Sequence, residues 1–490
     1  MGGFALNFNS LQYLVFLPTV IILYFLLPLR CRNYLLLAAS YYFYMCWEPL
    51  YALLILTSTI VTYFCGRLLE SFPQHKKAWV ALSLIINLSI LFFFKYFNFA
   101  ADIIGSLLGR VGLDFTSPGL NVLLPVGISF YTFQALGYTI DVYRGKLPAE
   151  RNFIIYALFV SFFPQLVAGP IERSVNLLPQ FREVHRFSES NIRSGLLPVL
   201  WGLFKKIVIA DQLAVMVNTV YAAPENYLPA QLICATVAFA FQIYCDFSAY
   251  SDIARGSAMM LGFRLMRNFD SPYFATSIQS FWRKWHISLT TWFRDYLYFP
   301  LGGSRCSSSR RYLNVLIVFT VSGLWHGAAL TYIIWGLLNG IYQIAGLITA
   351  PLRDNIRRAL HIGEGWPLTI WRYLFTFALV CLAWVFFRAE SIGDAVNIIG
   401  SILGIMPSGL GQSFSLTALG LDAANLKMLL ISLVLLLTVD FLQPRIDLEK
   451  KIESNIWLSC LVWLILIAAI LIFGSYGTGY DPQDFVYFQF

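Results

Sequence analysis

The chain has 490 residues, 58% hydrophobic, 17% aromatic and 12% charged, with a formal net charge of +8 at pH 7. A soluble domain carries about 25% charged residues, so the composition excludes a string of water-soluble domains and points to a polytopic membrane protein. The basic excess lies in short loops between apolar runs, where it sets orientation in the bilayer rather than forming a nucleic-acid surface.

Met1–Ser10 has no basic n-region and no small-residue cleavage site, so the first apolar run reads as a retained span and not a signal peptide. A bilayer core takes about 20 apolar residues as helix. In chain order the candidate spans are 11–28, 33–47, 50–66, 78–97, 121–140, 152–168, 229–249, 313–331, 333–350, 369–387, 427–442 and 456–475. The segment 195–222 is also apolar but contains Lys205, Lys206 and Asp211. It reads as tilted, re-entrant or interfacial, because charge survives at depth only when buried in protein or facing water. Arg30 and Arg32, Arg67 with Lys76 and Lys77, Arg144 with Lys146 and Arg151, the region 264–311, and the stretches 353–372 and 445–451 are basic and read as cytoplasmic. Met1–Ser10, the loop 389–426 and the tail from Gly477 read as outside. The expectation is one domain, 1–490: an all-α polytopic membrane helical bundle of about 11–12 spans with re-entrant or interfacial helices. No internal repeat of the transporter kind stands out. The eight cysteines are scattered with no CxxC pair, so they read as reduced packing residues without a disulfide or zinc framework.

Three polar islands interrupt the apolar pattern before residue 300. Gly169-Pro170-Ile171-Glu172-Arg173 reads as a structural turn. Tyr244 to Asp252 ends a span and is followed by Arg255. Asp252 and Arg255 stand at i,i+3 and can pair, and Asp246 needs a partner, for which Lys205 or Lys206 are candidates. Over 281–298 a helical reading puts Trp282, Trp285, His286, Leu289, Trp292, Phe293 and Tyr296 on one face and cations elsewhere. Such a helix suits the membrane surface or a cap over the bundle. His286 falls on the aromatic stripe, either as a packed ring or as a guard at the cytoplasmic mouth of a site.

The span 313–331 carries Ser322-Gly323-Leu324-Trp325-His326-Gly327. A histidine inside an apolar span is costly, so His326 is a functional candidate. Its neighbours on a continuous helix are Ser322, Gly323, Ala329 and Leu330. The small ones serve either as a Gly323/Gly327 packing pair or as room for a substrate. A histidine titrating near neutrality can take the proton of a hydroxyl attacking a thioester, or can itself be acylated. There is no G-x-S-x-G elbow and no H-E-x-x-H pair, and no metal site is assigned.

Together the motifs Asp246-Phe247-Ser248-x-Tyr250-Ser251-Asp252, Ser280-Phe281-Trp282-x-x-Trp285-His286, Arg294-Asp295-Tyr296-Leu297-Tyr298, Pro300-Leu301-Gly302-Gly303 and Leu324-Trp325-His326-Gly327 resemble the membrane-bound O-acyltransferase family. Within it the sequence is most similar to the bacterial alginate O-acetylation branch, which Pro125 to Gln134 and Phe163 to Pro170 also fit. The resemblance is specific over about 120–340. It implies that His326 is catalytic and His286 assists, and that a funnel or tunnel crosses the bundle. It implies no bound cofactor; an acyl thioester, acetyl-CoA or an acyl carrier protein, is the donor substrate. It further implies the bacterial inner membrane, contact with membrane lipid, an extracytoplasmic acyltransferase or polysaccharide-export partner, and no nucleic acid. Ala249 stands where the family often has glycine. The competing readings are D-alanyl transfer from a carrier protein to teichoic acid, and a transporter without covalent chemistry.

Overall fold

Small polar residues just before apolar runs decide where several helices begin. The side chains of Ser10, Asn152, Ser307, Asp422 and Asn455 each accept a backbone N–H of the helix that follows, filling donors that have no partner within the helix. The computed structural model describes residues 6–113, 119–120, 123–167, 169–361, 363–409, 413–474 and 485–486. Among them every regular element is helical. The chain forms two compact units, Met1–Val199 with Tyr250–Met266, and Leu200–Ala249 with Arg267–Phe490.

The first unit contains α1 (Leu11–Leu26), α2 (Leu29–Met45), α3 (Ala52–Ser71), α4 (Lys76–Leu91), α5 (Phe97–Arg110), α6 (Ile128–Tyr143), α7 (Phe153–Ser161), the short α8 (Phe163–Leu166) and α9 (Ser174–Leu177), and most of α10 (Glu189–Leu203). α6 is buried along nearly its whole length and forms the centre of this unit. Buried polar pairs tie helices together, as expected where the solvent is itself apolar. Ser58 Oγ donates to Asn87 Oδ1 at 2.6 Å, and Tyr156 Oη donates to Thr62 Oγ1 at 2.6 Å. The run 152–168 does not form one span. α7 has nine residues, about 14 Å of axis, and the chain turns at Phe162 before Pro164.

The second unit contains α11 (Asp211–Tyr221), the first part of α12 (Pro229–Met260), α13 (Ile278–Lys284), α14 (Ile287–Phe293), α15 (Ser308–His326), α16 (Leu330–Ala359), α17 (Trp366–Arg388), α18 (Ile392–Ile402), α19 (Ala423–Ile446), α20 (Leu448–Glu453) and α21 (Ile456–Phe473). A π turn, Phe204–Ala210, joins α10 to α11. The charged run 195–222 is thus helix, π turn and helix, with Lys205, Lys206 and Asp211 all buried in protein.

Seven described helices are long and apolar enough to cross a membrane: Pro49–Ser71, Pro73–Arg110, Pro229–Met260, Leu330–Ala359, Trp366–Arg388, Ala423–Ile446 and Ile456–Phe473. Two shorter apolar helices, Leu11–Leu26 and Ile392–Ile402, accompany them. The protein is an all-α, multi-pass membrane protein. The expected span 313–331 ends early: α15 stops at His326, Gly327 takes an extended backbone, and α16 begins at Leu330. The two helices pack closely through glycine. A Cβ on Gly323 would lie 2.2 Å from the Tyr332 carbonyl oxygen, and one on Gly336 would lie 2.2 Å from that of Phe319.

Candidate active site

His326 is the last residue of α15 and is 3% exposed. Its imidazole meets three aromatic rings at near-perpendicular or steep angles: Trp325 at 4.9 Å, Trp335 of α16 at 5.0 Å and Phe387 of α17 at 5.5 Å between centroids. Trp335 stacks on Trp384 at 17°. The sequence placed Ser322, Gly323, Ala329 and Leu330 around this histidine. The helix end removes Ala329 and Leu330 from its face, because the residues after Gly327 no longer follow the 3.6-residue turn. Both glycines serve packing: Gly323 faces α16, and the Tyr332 ring fills the space beside Gly327, where a Cβ would be 2.1 Å from Cε2.

His286 does not sit on a continuous amphipathic helix. α13 ends at Lys284, Trp285 is extended, and His286 has φ 42° and ψ 55°, in the left-handed region. Non-glycine residues adopt that region rarely, and such strain is often kept where a side chain must be aimed. The break is fastened from outside the segment: the Ile287 and Ser288 N–H groups donate to the Asn268 carbonyl and side-chain oxygens at 2.9 and 3.2 Å. Trp282, Trp285 and His286 are all buried, His286 completely. The stripe therefore packs inside protein, and His286 occupies an aromatic interior rather than an open mouth. Its ring lies 4.6 Å from Phe247 and 6.0 Å from Trp325. Trp325 thus touches both histidines.

On α12, Phe239 lies 6.4 Å from Phe387, which meets His326, and Phe247, which meets His286, is two turns further along. Beside Phe247, the Lys206 ammonium bridges Asp246 at 2.8 Å and Asp211 at 2.9 Å. Lys205 donates to Ser248 Oγ at 2.7 Å. Asp246 also accepts the Val486 N–H at 2.7 Å, and Phe485 packs on Phe247. Of the two lysines expected as candidates for Asp246, Lys206 makes the pair, and all three charges are buried, where pairing is what makes them tolerable.

The acids of the other islands have partners within the protein. Asp252 faces Arg255 at 3.6 Å, within one turn of α12. Glu172 is buried and accepts the Met266 N–H. Burial pushes its carboxyl up to about 7, since desolvation disfavours the charged form.

Residues 143–385 match the membrane-bound O-acyltransferase family. The chain is 37% identical to the probable alginate O-acetylase AlgI of Pseudomonas putida over 99% of its own length and 100% of that protein. The chain belongs to the membrane-bound O-acyltransferase family. It is thus a multi-pass membrane acyltransferase. It is also 36% identical to a peptidoglycan O-acetyltransferase of Helicobacter pylori, over 82% of this chain and 80% of that one. To a teichoic acid D-alanyltransferase of Bacillus subtilis it is 25% identical, over 46% of this chain and 59% of that one.

Four residues of this acyltransferase escaped the sequence reading although they build the surroundings of His326: Trp335, Tyr332, Asn339 and Phe387. Trp282 Nε1 donates to Asn339 Oδ1 at 3.2 Å, and Asn339 Nδ2 donates to the Trp335 carbonyl at 2.9 Å. A buried asparagine one turn beyond a tryptophan in an apolar run was the available signal, since such an amide must find partners.

Proposed function

We propose that this acyltransferase takes an acetyl group from a cytoplasmic thioester, coenzyme A or a carrier protein, and passes it across the bacterial inner membrane. The acceptor is a hydroxyl of an exported or cell-surface polysaccharide such as alginate. The observation that carries the reading is that one indole, Trp325, touches both His326 and His286 in a buried aromatic layer. With the basic loops inside, α15 runs outward from Ser308 and presents His326 at its outward end. His286 lies on the cytoplasmic side of it.

In this reading His326 accepts the proton of the acceptor hydroxyl as its oxygen attacks the thioester carbonyl. Collapse of the tetrahedral intermediate breaks the carbon–sulfur bond, and the thiolate leaves with the proton from the imidazolium. Alternatively the imidazole itself carries the acyl group between the two sides. His286 assists from below, through the shared indole. The aromatic enclosure excludes water, which protects an activated acyl group from hydrolysis. Polysaccharide acetylation is favoured over D-alanyl transfer because the relatives named for O-acetylation match far more of the chain at higher identity. A transporter has no need of the two Trp-His motifs.

The test is donor consumption. Purified protein in proteoliposomes, supplied from the cytoplasmic side with acetyl-CoA or with an acetylated carrier protein, is expected to release free thiol from one of them. Acetyl appears in turn on a polysaccharide hydroxyl. Release of alanine from a D-alanyl carrier in place of acetyl supports the teichoic acid reading, and no thioester consumption supports the transporter.

A further inference from the structure

Asn339 lies one turn beyond Trp335 on α16 and is buried. Its amide makes two hydrogen bonds, and each partner has a single polarity. The Trp282 indole nitrogen can only donate, and the Trp335 carbonyl can only accept. Oδ1 therefore faces Trp282, at 3.2 Å, and Nδ2 faces the carbonyl, at 2.9 Å. A carboxylate here would lose the second bond and a leucine would lose both, so the position calls for an amide.

The bond matters because of what the Trp282 indole leans on. Trp282, on α13, lies 5.6 Å from Trp335 at 72° and 5.3 Å from Phe319 of α15 at 66°. Its ring thus packs against α15 and α16 at the level where Gly336 meets the Phe319 carbonyl. Trp335 in turn stacks on Trp384 at 5.6 Å and 17°, and meets the His326 imidazole at 5.0 Å and 87°. Burial holds an indole in a slot without setting its rotation, because the hydrophobic effect is non-directional, whereas a hydrogen bond has a direction. The Asn339 amide gives Trp282 that direction, and so fixes the edge against which Trp335 rests. A need to tie α13 to α16 would be met by a polar contact anywhere along the two helices. It does not account for an amide placed on the ring next to the one that touches His326.

We propose that Asn339 is a positioning residue for acyl transfer: by fixing the Trp282 indole against Trp335, it holds the His326 imidazole in its reacting orientation. The inference rests on the reading that His326 takes the proton or the acyl group. Asn339 acts through two rings and not on the reacting atoms. Its loss therefore lowers the rate of the chemical step and leaves donor binding unchanged.

The deciding measurement does not depend on turnover. Full-length protein carrying isotope-labelled histidine is reconstituted in liposomes and measured by solid-state NMR. The chain has five histidines, and the His326 signal is the one lost in His326→Ala. The ring current of Trp335 displaces that signal. Asn339→Leu is expected to shift or broaden it, and so is Trp282→Phe, which keeps an aromatic ring and removes the indole N–H. Because the two changes break the same bond, Asn339→Leu made in the Trp282→Phe protein should add little to the effect of Trp282→Phe alone. An unmoved His326 signal in either folded single variant overturns the proposal, even with a lowered melting temperature, and so do effects that simply add in the double variant. On the same liposomes, kcat for thioester consumption per folded protein is expected to fall about tenfold or more in Asn339→Leu with KM unchanged. A raised KM at an unaltered kcat overturns the positioning role. An unaltered protein that consumes no thioester counts against the acyltransfer reading alone, and the NMR comparison still decides whether Asn339 orients the ring.

Discussion

The His326 imidazole stands at 87° to the Trp335 indole with 5.0 Å between ring centroids, although the two residues lie on separate helices joined by a three-residue turn. The ring is therefore oriented by packing from α16 and α17 as much as by its own helix. Its replacement by alanine removes the imidazole without touching the α15–α16 crossing at Gly323 and Gly336. His326→Ala is expected to insert and fold, and to lose about 10²–10⁴ in rate. The measurement is O-acylated product at equal amounts of membrane-inserted protein. Product at the unaltered rate would make His326 a packing residue.

His286 tests backbone and side chain separately. Its left-handed conformation costs alanine about 1–2 kcal/mol, whereas asparagine visits that region more readily. His286→Ala is expected to fold with a lowered melting temperature and weakened transfer. His286→Asn should melt closer to the unaltered protein yet transfer no better than the alanine variant. Indistinguishable melting of the two variants would show that the backbone relaxes once the imidazole is gone.

The glycine crossing makes a prediction with its own control. Gly323→Ala and Gly336→Ala each place a Cβ 2.2 Å from a backbone oxygen of the facing helix, while Gly346 on the same α16 has nothing within 4 Å. The first two variants are expected to give several-fold less monodisperse protein by size-exclusion chromatography. Gly346→Ala should match the unaltered yield, and so removes general helix propensity as an explanation.

Lys206 serves two acids. Lys206→Met leaves Asp246 and Asp211 buried without that cation, a change that typically costs about 3–5 kcal/mol. Adding Asp246→Asn removes one of the two stranded charges and keeps an oxygen for the Val486 N–H. The double variant is expected to regain part of the lost thermal stability, and a double variant less stable than Lys206→Met alone would contradict the clamp.

Glu172 gives a pH signature. Its carboxyl is raised in the folded protein to about 7 from an ordinary 4.5, so between those values the folded state binds more proton than the unfolded one. Stability from this group therefore falls as pH rises from about 4.5 to about 7 and levels off above, at about 1.4 kcal/mol per unit of displacement. Glu172→Gln should flatten the melting-temperature profile across that window and melt higher than the unaltered protein at pH 8. An unchanged slope would place the pH dependence elsewhere.

The charged residues were the easiest part of the site to read in the sequence. An acid in an apolar helix needs a cation: that requirement points to Arg255 for Asp252 and to Lys205 or Lys206 for Asp246, and the structure pairs Asp246 with Lys206. His326 stood out by the same cost argument. The helix ends were harder. Apart from His326 and Thr331, Leu324 to Trp335 has no strongly polar residue, and hydropathy carries no signature of a reversal in which Gly327 is extended and the next helix starts three residues later. The aromatic periodicity of 281–298 likewise continues across a break, because the break is imposed by Asn268, remote in sequence and undetectable by any local period. Trp335 and Phe387 reach His326 only through the packing of α16 and α17, which a single sequence does not encode as a pattern.

The π turn Phe204–Ala210 makes the Lys206 clamp depend on residue count as well as residue type. A π turn holds one more residue than the α turn it replaces. Deleting Phe204 would let the chain close as α-helix, in which Lys206 and Asp211, five residues apart, stand about 140° from each other around the axis. Lys206 would then be carried out of phase with Asp211 while every charged side chain was still present. A one-residue deletion at this point is thus a more severe change than many substitutions, and a compensating one-residue insertion within the same turn should reverse it.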